Sequence, residues 1–282
     1  MNDPGSANLK VYGDESFDEH GERVAAVAAL VGTEAQWAKL EAAWLERTGG
    51  QEFHANKCET QYARDPDPEK HRGALALYKD LAQLVADSGL RGYGSAFDLA
   101  SYREYLPGEN PENGFIHSFL GVLNYCSKLA VEQNALVEFI FDNRQGKEYN
   151  ANLLFKAFRG SPPWRNKNIF SRPEIRFDTR KNPRIQAADL VARESMKGLD
   201  NYIGPTRRLE RQSLKLLARH GIEFVAYEGP YFRDFREKLT ELKERTHFKE
   251  NEYLDWLAES KRTDNQSNRI HFIIYKDQSD PL

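Results

Sequence analysis

The chain has 282 residues, 40% of them hydrophobic and 29% charged, so it can bury a core and is not a disordered polymer. A formal net charge of −3 excludes an overall basic character, so any polyanion-binding surface has to be local. Cys58 and Cys126, the two cysteines, cannot build a zinc ribbon or a disulfide framework. The polar start Met1–Asn8 lacks an apolar signal core, and the most apolar run, Val24–Val31, is too short to span a bilayer. A cytoplasmic protein with no membrane partner is expected.

In chain order, Leu9–Asp14 predicts a strand with Leu9 and Val11 on one face and Tyr12 and Asp14 on the other. A turn over Phe17–Arg23 and a second strand over Val24–Val31 would close an antiparallel hairpin. Thr33 can cap a helix to about Arg47, with Trp37, Leu40, Ala43 and Trp44 at helical spacing, stopped by Gly49 and Gly50. A mixed segment, Gln51–Ala55, and a polar stretch lead to a helix from Pro68 to about Gly89. A strand over Arg91–Leu99, a helix over Phe115–Gln133 and a strongly apolar strand over Leu136–Asp142 follow. Next come a helix from about Glu148 to Phe158, a short strand at Ile175–Asp178, and a helix from Pro183 through Leu199 whose proline sits at a favoured first-turn position. After about Pro205 the pattern gives a helix, a strand near Ile222–Tyr227, charged helices and a last strand at Ile270–Tyr275. Strands first and then alternating helices and strands imply an α/β fold with a mixed sheet covered by helices. Residues 1–204 are expected to form the main domain, and 205–282 an α-rich C-terminal extension that can pack on it.

Two acids end apolar strands, Asp14 and Asp142. Each alone could be a turn former. Side by side they would repel, and a divalent cation such as Mg²⁺ or Mn²⁺ or a shared proton would be needed to hold them together. Asp189 sits in the apolar stretch Ile185–Ala192, where a buried carboxylate has to be paired or metal-bound. Its alternatives are a buried arginine or a backbone amide as partner. Gln186, three residues earlier on nearly the same side, could support the acid or touch substrate. In Glu52-Phe53-His54-Ala55, Glu52 could complete a carboxylate set and His54 could be a ligand, a proton shuttle or a phosphate contact. A surface glutamate and a helix-capping histidine explain the same residues equally well.

The segment Tyr12-Gly13-Asp14-Glu15-Ser16 resembles the Tyr-x-Asp-Glu-Ser signature of domain-of-unknown-function family 3800, a group placed with the ribonuclease H-like folds. Glu52-Phe53-His54-Ala55, Phe141-Asp142 and Gln186-Ala187-Ala188-Asp189-Leu190 resemble its later motifs, in the same order, over roughly residues 9 to 200. The resemblance implies a ribonuclease H-like central mixed sheet and an acidic site for two metal ions, Mg²⁺ or Mn²⁺, with Asp14 bridging and Asp142, Asp189 and Glu52 as further ligands and catalytic acids. Glu15 alternates to the other face and is read as structural. The expected activity is metal-dependent phosphodiester hydrolysis, that of a nuclease. A non-catalytic nucleic-acid- or protein-binding module and a small-molecule phosphohydrolase are the competing readings. A cysteine nucleophile is disfavoured, because Cys58 lies near His54 without an oxyanion motif.

From Lys156 to Arg184 there are nine Lys/Arg against two acids, Glu174 and Asp178, with Phe155, Phe158, Trp164, Phe170 and Phe177 interleaved. Basic groups neutralise phosphates and aromatics stack bases, so this stretch, which leads into the helix bearing Asp189, is the candidate DNA or RNA contact, with Arg180, Lys181 and Arg184 as candidate substrate-binding residues. The alternative is a solvated loop whose aromatics pack into the core. The charged C-terminal extension could serve a protein partner or a homo-oligomer.

Overall fold

The computed structural model describes residues 8–18, 21–107, 112–143, 148–206, 208–234, 236–237 and 270–271. Strands β1 (Asn8–Phe17) and β2 (Val24–Thr33) form the expected hairpin, with Asp14 opposite Ala28. The first strand runs three residues further than its apolar pattern suggests. The turn is tightened by Asp18, whose Oδ1 accepts from the backbone N–H groups of Arg23 and Val24 at 3.0 Å each.

Helix α1 (Glu34–Thr48) starts with a capping box, in which Thr33 and Gln36 satisfy each other's backbone N–H groups, and stops at Gly49 with φ 61°. Helices α2 (Ala55–Arg64) and α3 (Pro68–Asp87) follow, then β3 (Arg91–Asp98), α4 (Leu99–Tyr105) and α5 (Glu112–Glu132). Next in the chain are β4 (Leu136–Asp142), α6 (Glu148–Gly160), β5 (Arg176–Asp178) and α7 (Pro183–Ile203). The described chain then adds α8 (Gln212–Arg219), β6 (Ile222–Tyr227) and the short β7 (Ile270–His271). α2 and α4 lie where no helix was expected. The helix expected from about residue 205 begins only at Gln212. Most of the region where charged helices and the remainder of the last strand were expected lies outside the described residues.

The seven strands make one mixed sheet in the order β5-β4-β1-β2-β3-β6-β7. β1 pairs with β4, β3 with β6 and β4 with β5 in parallel; β1–β2, β2–β3 and β6–β7 are antiparallel. Helices flank this mixed sheet, which is the ribonuclease H-like α/β architecture, and α8 extends the helical cover among the described residues after Ile203. Among the described residues no helix is long and apolar enough to cross a membrane.

Strand alternation sends Leu9, Val11, Phe139 and Phe141 into a core shared with α5 and α6. Tyr12, Leu30 and Ile140 point to the other face, where α7 lies across β1, β2 and β3. α1, α2 and α3 in turn pack on α7. Buried between the sheet and an outer helical layer, α7 has almost no solvent face from Pro183 to Asn201, so every acid on it needs a partner inside the protein. Gly13 faces Phe141 across the parallel pair, and a Cβ there would collide with the Phe141 ring. Glycine therefore lets β1 and β4 carry a large aromatic beside Asp14.

Candidate functional site

β1 and β4 run in parallel register, with Gly13 opposite Phe141, so Asp14 and Asp142 follow at the same end of neighbouring strands. α7 crosses the face that carries Asp14 and brings Asp189. Three acids far apart in sequence thus converge. Asp14 is 0% exposed. Its Oδ1 accepts from the N–H of Glu15 at 2.7 Å, while its Oδ2 is buried and has no hydrogen-bond partner. Burial holds the Asp14 carboxyl well above its ordinary range, and Asp189, Glu15 and Asp142 add to the effect against the opposing charge of Arg180.

Asp189 is tied to the start of α2. Its Oδ2 accepts from the backbone N–H of Ala55 at 2.8 Å and lies 2.8 Å from Nδ1 of His54, the residue that precedes the helix. The backbone-amide partner left open for Asp189 is therefore present, and it places the carboxylate at a helix N-terminus, where the dipole favours an anion. A carboxylate oxygen can only accept, so Nδ1 of His54 carries the proton and Nε2 is left to accept. The donor facing it is Nη1 of Arg180, 3.4 Å away. Nε of Arg180 donates to Oδ2 of Asp142 at 3.0 Å.

A continuous chain thus runs from Asp142 through Arg180 and His54 to Asp189, with Asp14 electrostatically coupled to its members. Burial pushes the Asp142 carboxyl up, and Arg180 partly offsets this. Burial also works against the charge of Arg180, but Asp14, Asp142 and Asp189 together outweigh it and hold its pKa above the ordinary value.

Three carboxylates, one with an orphaned buried oxygen, have the donor chemistry a hard divalent cation takes. Among the described residues, however, no three His, Cys, Asp or Glu side chains stand in an arrangement that could hold a metal ion. In this arrangement the cation among the aspartates is the guanidinium of Arg180.

Glu52 is exposed, in contrast to the three buried aspartates. Gln186 is buried, and its amide is used inside the fold. Oε1 accepts from Trp44 Nε1 at 2.9 Å and from the N–H of Phe53 at 3.2 Å, and Nε2 donates to the carbonyl of Arg180 at 2.7 Å. It positions both the His54 segment and the Arg180 turn. Arg184 is committed to Glu34, Glu41 and Tyr12. Lys181 is exposed beside the site.

Of the remaining basic stretch, Arg172 and Arg176 both reach Glu138, and Arg159 donates to the Pro173 carbonyl and sits over the Phe155 and Phe170 rings. Phe155, Phe158 and Trp164 pack into the core, the alternative left open for them above. Lys156, Arg165 and Lys167 are exposed. The pairing of Arg180 with Asp142 and His54 is the feature that the sequence pattern missed. Any of nine basic residues could have met the acids, and only the turn between β5 and α7 selects one.

No protein-family model matches the chain, and no curated protein matches it. Among solved structures, one match is a chain of the PCNA:RNase HII complex from Archaeoglobus fulgidus, with 9% identity, a TM-score of 0.37, and coverage of 75% of this chain and 87% of that one. Another is Bst-RNase HIII in complex with Mn²⁺, with 15% identity, a TM-score of 0.39, and coverage of 91% and 71%. These are weak and remote structural similarities to ribonuclease H-like proteins, and at such scores they carry no argument about function.

Proposed function

We propose that the protein is a divalent-metal-dependent nuclease, with Asp14, Asp142 and Asp189 as the ligands of Mg²⁺ or Mn²⁺. The observation that supports this reading is Asp14, a fully buried carboxylate with one oxygen unpartnered and two further aspartates acting on it. A buried carboxylate oxygen without a partner is costly when ionised, and a bound cation would relieve that cost. A divalent ion bound there would supply an activated water and a stabilised leaving oxygen for phosphodiester hydrolysis. The chain's own part is to hold the ligands still. His54 and the Ala55 N–H fix Asp189, as partners of a metal ligand do. Lys181 and the exposed cations of the 156–176 stretch would meet the phosphates of DNA or RNA. Glu52 is kept as a candidate fourth acid.

A second reading has its own observation. The ion pair of Arg180 with Asp142 already supplies positive charge, which suits a non-catalytic nucleic-acid- or protein-binding module of the same fold. One experiment separates the two: titration of Mg²⁺ and Mn²⁺ with single- and double-stranded DNA and RNA, using wild type, Asp14→Asn and Asp189→Asn. The nuclease reading expects cleavage that requires metal and disappears in both variants. Polynucleotide binding that weakens steeply with salt, ignores chelator and gives no cleavage would transfer the conclusion to the binding module. Hydrolysis of a small phosphodiester without polynucleotide binding would point to a small-molecule phosphohydrolase.

A further inference from the structure

We infer that the β5 edge of the sheet is a backbone track for a polynucleotide, with one phosphate on Arg172 and another on Arg176, leading toward the three aspartates and reading no sequence. This rests on the nucleic-acid part of the reading above and needs no metal.

β5 is the outermost strand on its side of the sheet. Tyr12, Ile140 and Arg176 stand opposite one another across β1, β4 and β5, so Arg176 shares the sheet face of Ile140. By alternation Glu138, Asp142 and Asp14 lie on that face as well. Glu138 and Asp142 are four residues apart, roughly 13 Å along the strand. α7 covers this face at β1, β2 and β3, while Arg172 and Arg176 on the β5 side are exposed.

The balance of charge changes along that line. At Asp142 one arginine, Arg180, faces three buried aspartates. At Glu138 the ratio is reversed. This residue is 6% exposed, and its Oε1 accepts from Nε of Arg172 at 2.5 Å and from Nη1 of Arg176 at 3.2 Å. One guanidinium would balance the carboxylate. Each arginine uses one of its five N–H donors there, and the two side chains stay 55% and 48% exposed. The stretch 156–176 holds six Lys/Arg against one acid, Glu174, so the surplus around Glu138 is positive.

The segment that carries the two arginines is firmly held. The N–H of Val137 donates to the Ile169 carbonyl at 2.7 Å, and the N–H of Ser171 to the Val137 carbonyl at 3.0 Å. The N–H of Ile175 donates to Asn152 Oδ1 at 2.9 Å, and Nη1 of Arg159 to the Pro173 carbonyl at 2.6 Å. Ordering a long side chain on binding costs about 0.5–1.5 kcal/mol, and the bonds to Glu138 have met that cost beforehand. The aromatics of the stretch offer no stacking platform: Phe155, Phe158 and Trp164 are buried, and Phe170 and Phe177 pack against the same core. Contacts to phosphates alone fix the position of a strand and carry no sequence information.

The test is fluorescence anisotropy of labelled single- and double-stranded DNA and RNA oligonucleotides over a salt series, in chelator and again with Mg²⁺. The proteins are full-length wild type, Arg172→Met, Arg176→Met and Lys79→Met. Each arginine variant leaves the other arginine on Glu138, so the buried carboxylate keeps a counter-ion. Each should lose about 0.7 unit of salt slope on a single strand or about 0.9 on a duplex, and bind about fivefold more weakly at about 0.15 M salt. Lys79→Met removes an exposed charge from α3 and should leave slope and affinity at the wild-type values. A wild-type slope in both arginine variants, or an equal loss in Lys79→Met, would overturn the track and leave the nucleic-acid reading standing. A preference of about tenfold between two unrelated sequences of equal length, the size of one recognised base pair, would overturn its indifference to sequence. Absence of polynucleotide binding by wild type in both conditions would overturn the nucleic-acid reading and the track with it. Should Arg176→Met fail to fold, Arg176→Gln, whose amide can still donate to Glu138, carries the same comparison.

Discussion

Helix α7 carries three buried acids, and the surroundings of two of them, Asp189 and Glu194, five residues apart, differ sharply. Glu194 is 0% exposed and saturated: Oε1 accepts from Tyr78 at 2.6 Å and from Arg211, and Oε2 accepts from Arg211 and from Ser213 at 2.8 Å. Glu59 completes that group by accepting from Arg193 and Arg211, and these arginines hold its carboxyl below the ordinary range although burial opposes them. Asp189 belongs to the other group, which opens to solvent through Arg180 and His54 and contains the orphaned oxygen of Asp14. Buried acids kept for stability are fully paired. The proposed function assigns a ligand to the group left short of a partner, and not to the saturated one.

Breaking the saturated group should cost the most. Arg211→Met removes the donor that joins Glu194, Glu59 and Tyr62 and leaves a buried charge poorly matched, which should cost roughly 3–5 kcal/mol and lower Tm by about 10 °C. The change ties α8 less firmly to α2, α3 and α7 but touches none of the three aspartates, so Mn²⁺ affinity should stay within about twofold of wild type. Loss of metal binding in this variant would erase the contrast between the groups.

The complementary change is Asp14→Asn. Mn²⁺ affinity should fall by about a hundredfold or more, equivalent to roughly 2.7 kcal/mol. Stability in chelator should move the opposite way. The Asp14 carboxyl is raised above its ordinary value of 3.8 chiefly by burial. Such a group contributes stability at acid pH that is lost as pH rises through the raised value, because ionisation inside the fold is unfavourable. Asp14→Asn should therefore melt above metal-free wild type at neutral pH, with the gap closing as pH falls toward 3.8. A variant less stable than wild type at neutral pH in chelator would mean that the Asp14 charge is already matched without metal.

Much of the open group is legible along the chain. Alternation in Leu9–Asp14, the apolar run of Leu136–Asp142 and Pro183 at the head of a helix locate the elements that carry Asp14, Asp142 and Asp189, because these are local signals. What brings the acids together is non-local. The register of Gly13 against Phe141 and the crossing of α7 over β1 are set by packing of the whole sheet. α2 escaped notice because its ten residues bury only Ala55 and Cys58, too few for a helical stripe. The saturated group left no sequence signal. Glu59, Glu194 and Arg211 stand in no motif or periodic pattern, and it is the burial of α7 that makes them partners.

Within the saturated group a milder cut tests how the load is shared. Tyr78→Phe removes a 2.6 Å bond to Glu194 and leaves Arg211 and Ser213 in place. About 1.5 kcal/mol should be lost, the lower end for a hydrogen bond to a charged group. Urea unfolding would read it, and a loss as large as that of Arg211→Met would show that the network fails as a unit.

The smallest effect concerns Glu34, and it decides what Arg184 is for. Glu34 stands in the first turn of α1 and accepts from Arg184, while Lys10 lies 2.8 Å away. The hydrogen bond from Arg184, and after it that from Lys10, lowers the Glu34 pKa from 4.5 to about 2. A depressed carboxyl contributes stability above its ordinary value that is lost as pH falls through the lowered one, so the contribution fades between 4.5 and about 2. Half exposed to solvent, the pair should be worth under about 1 kcal/mol. Glu34→Gln should therefore sit slightly below wild type at pH 7 and coincide with it near pH 2. If Arg184 serves as a strut between α7 and α1, the variant leaves the salt slope of polynucleotide binding unchanged. A steeper slope would mean that release from Glu34 turns Arg184 into a phosphate contact, which would extend the open group's basic margin along the start of α7.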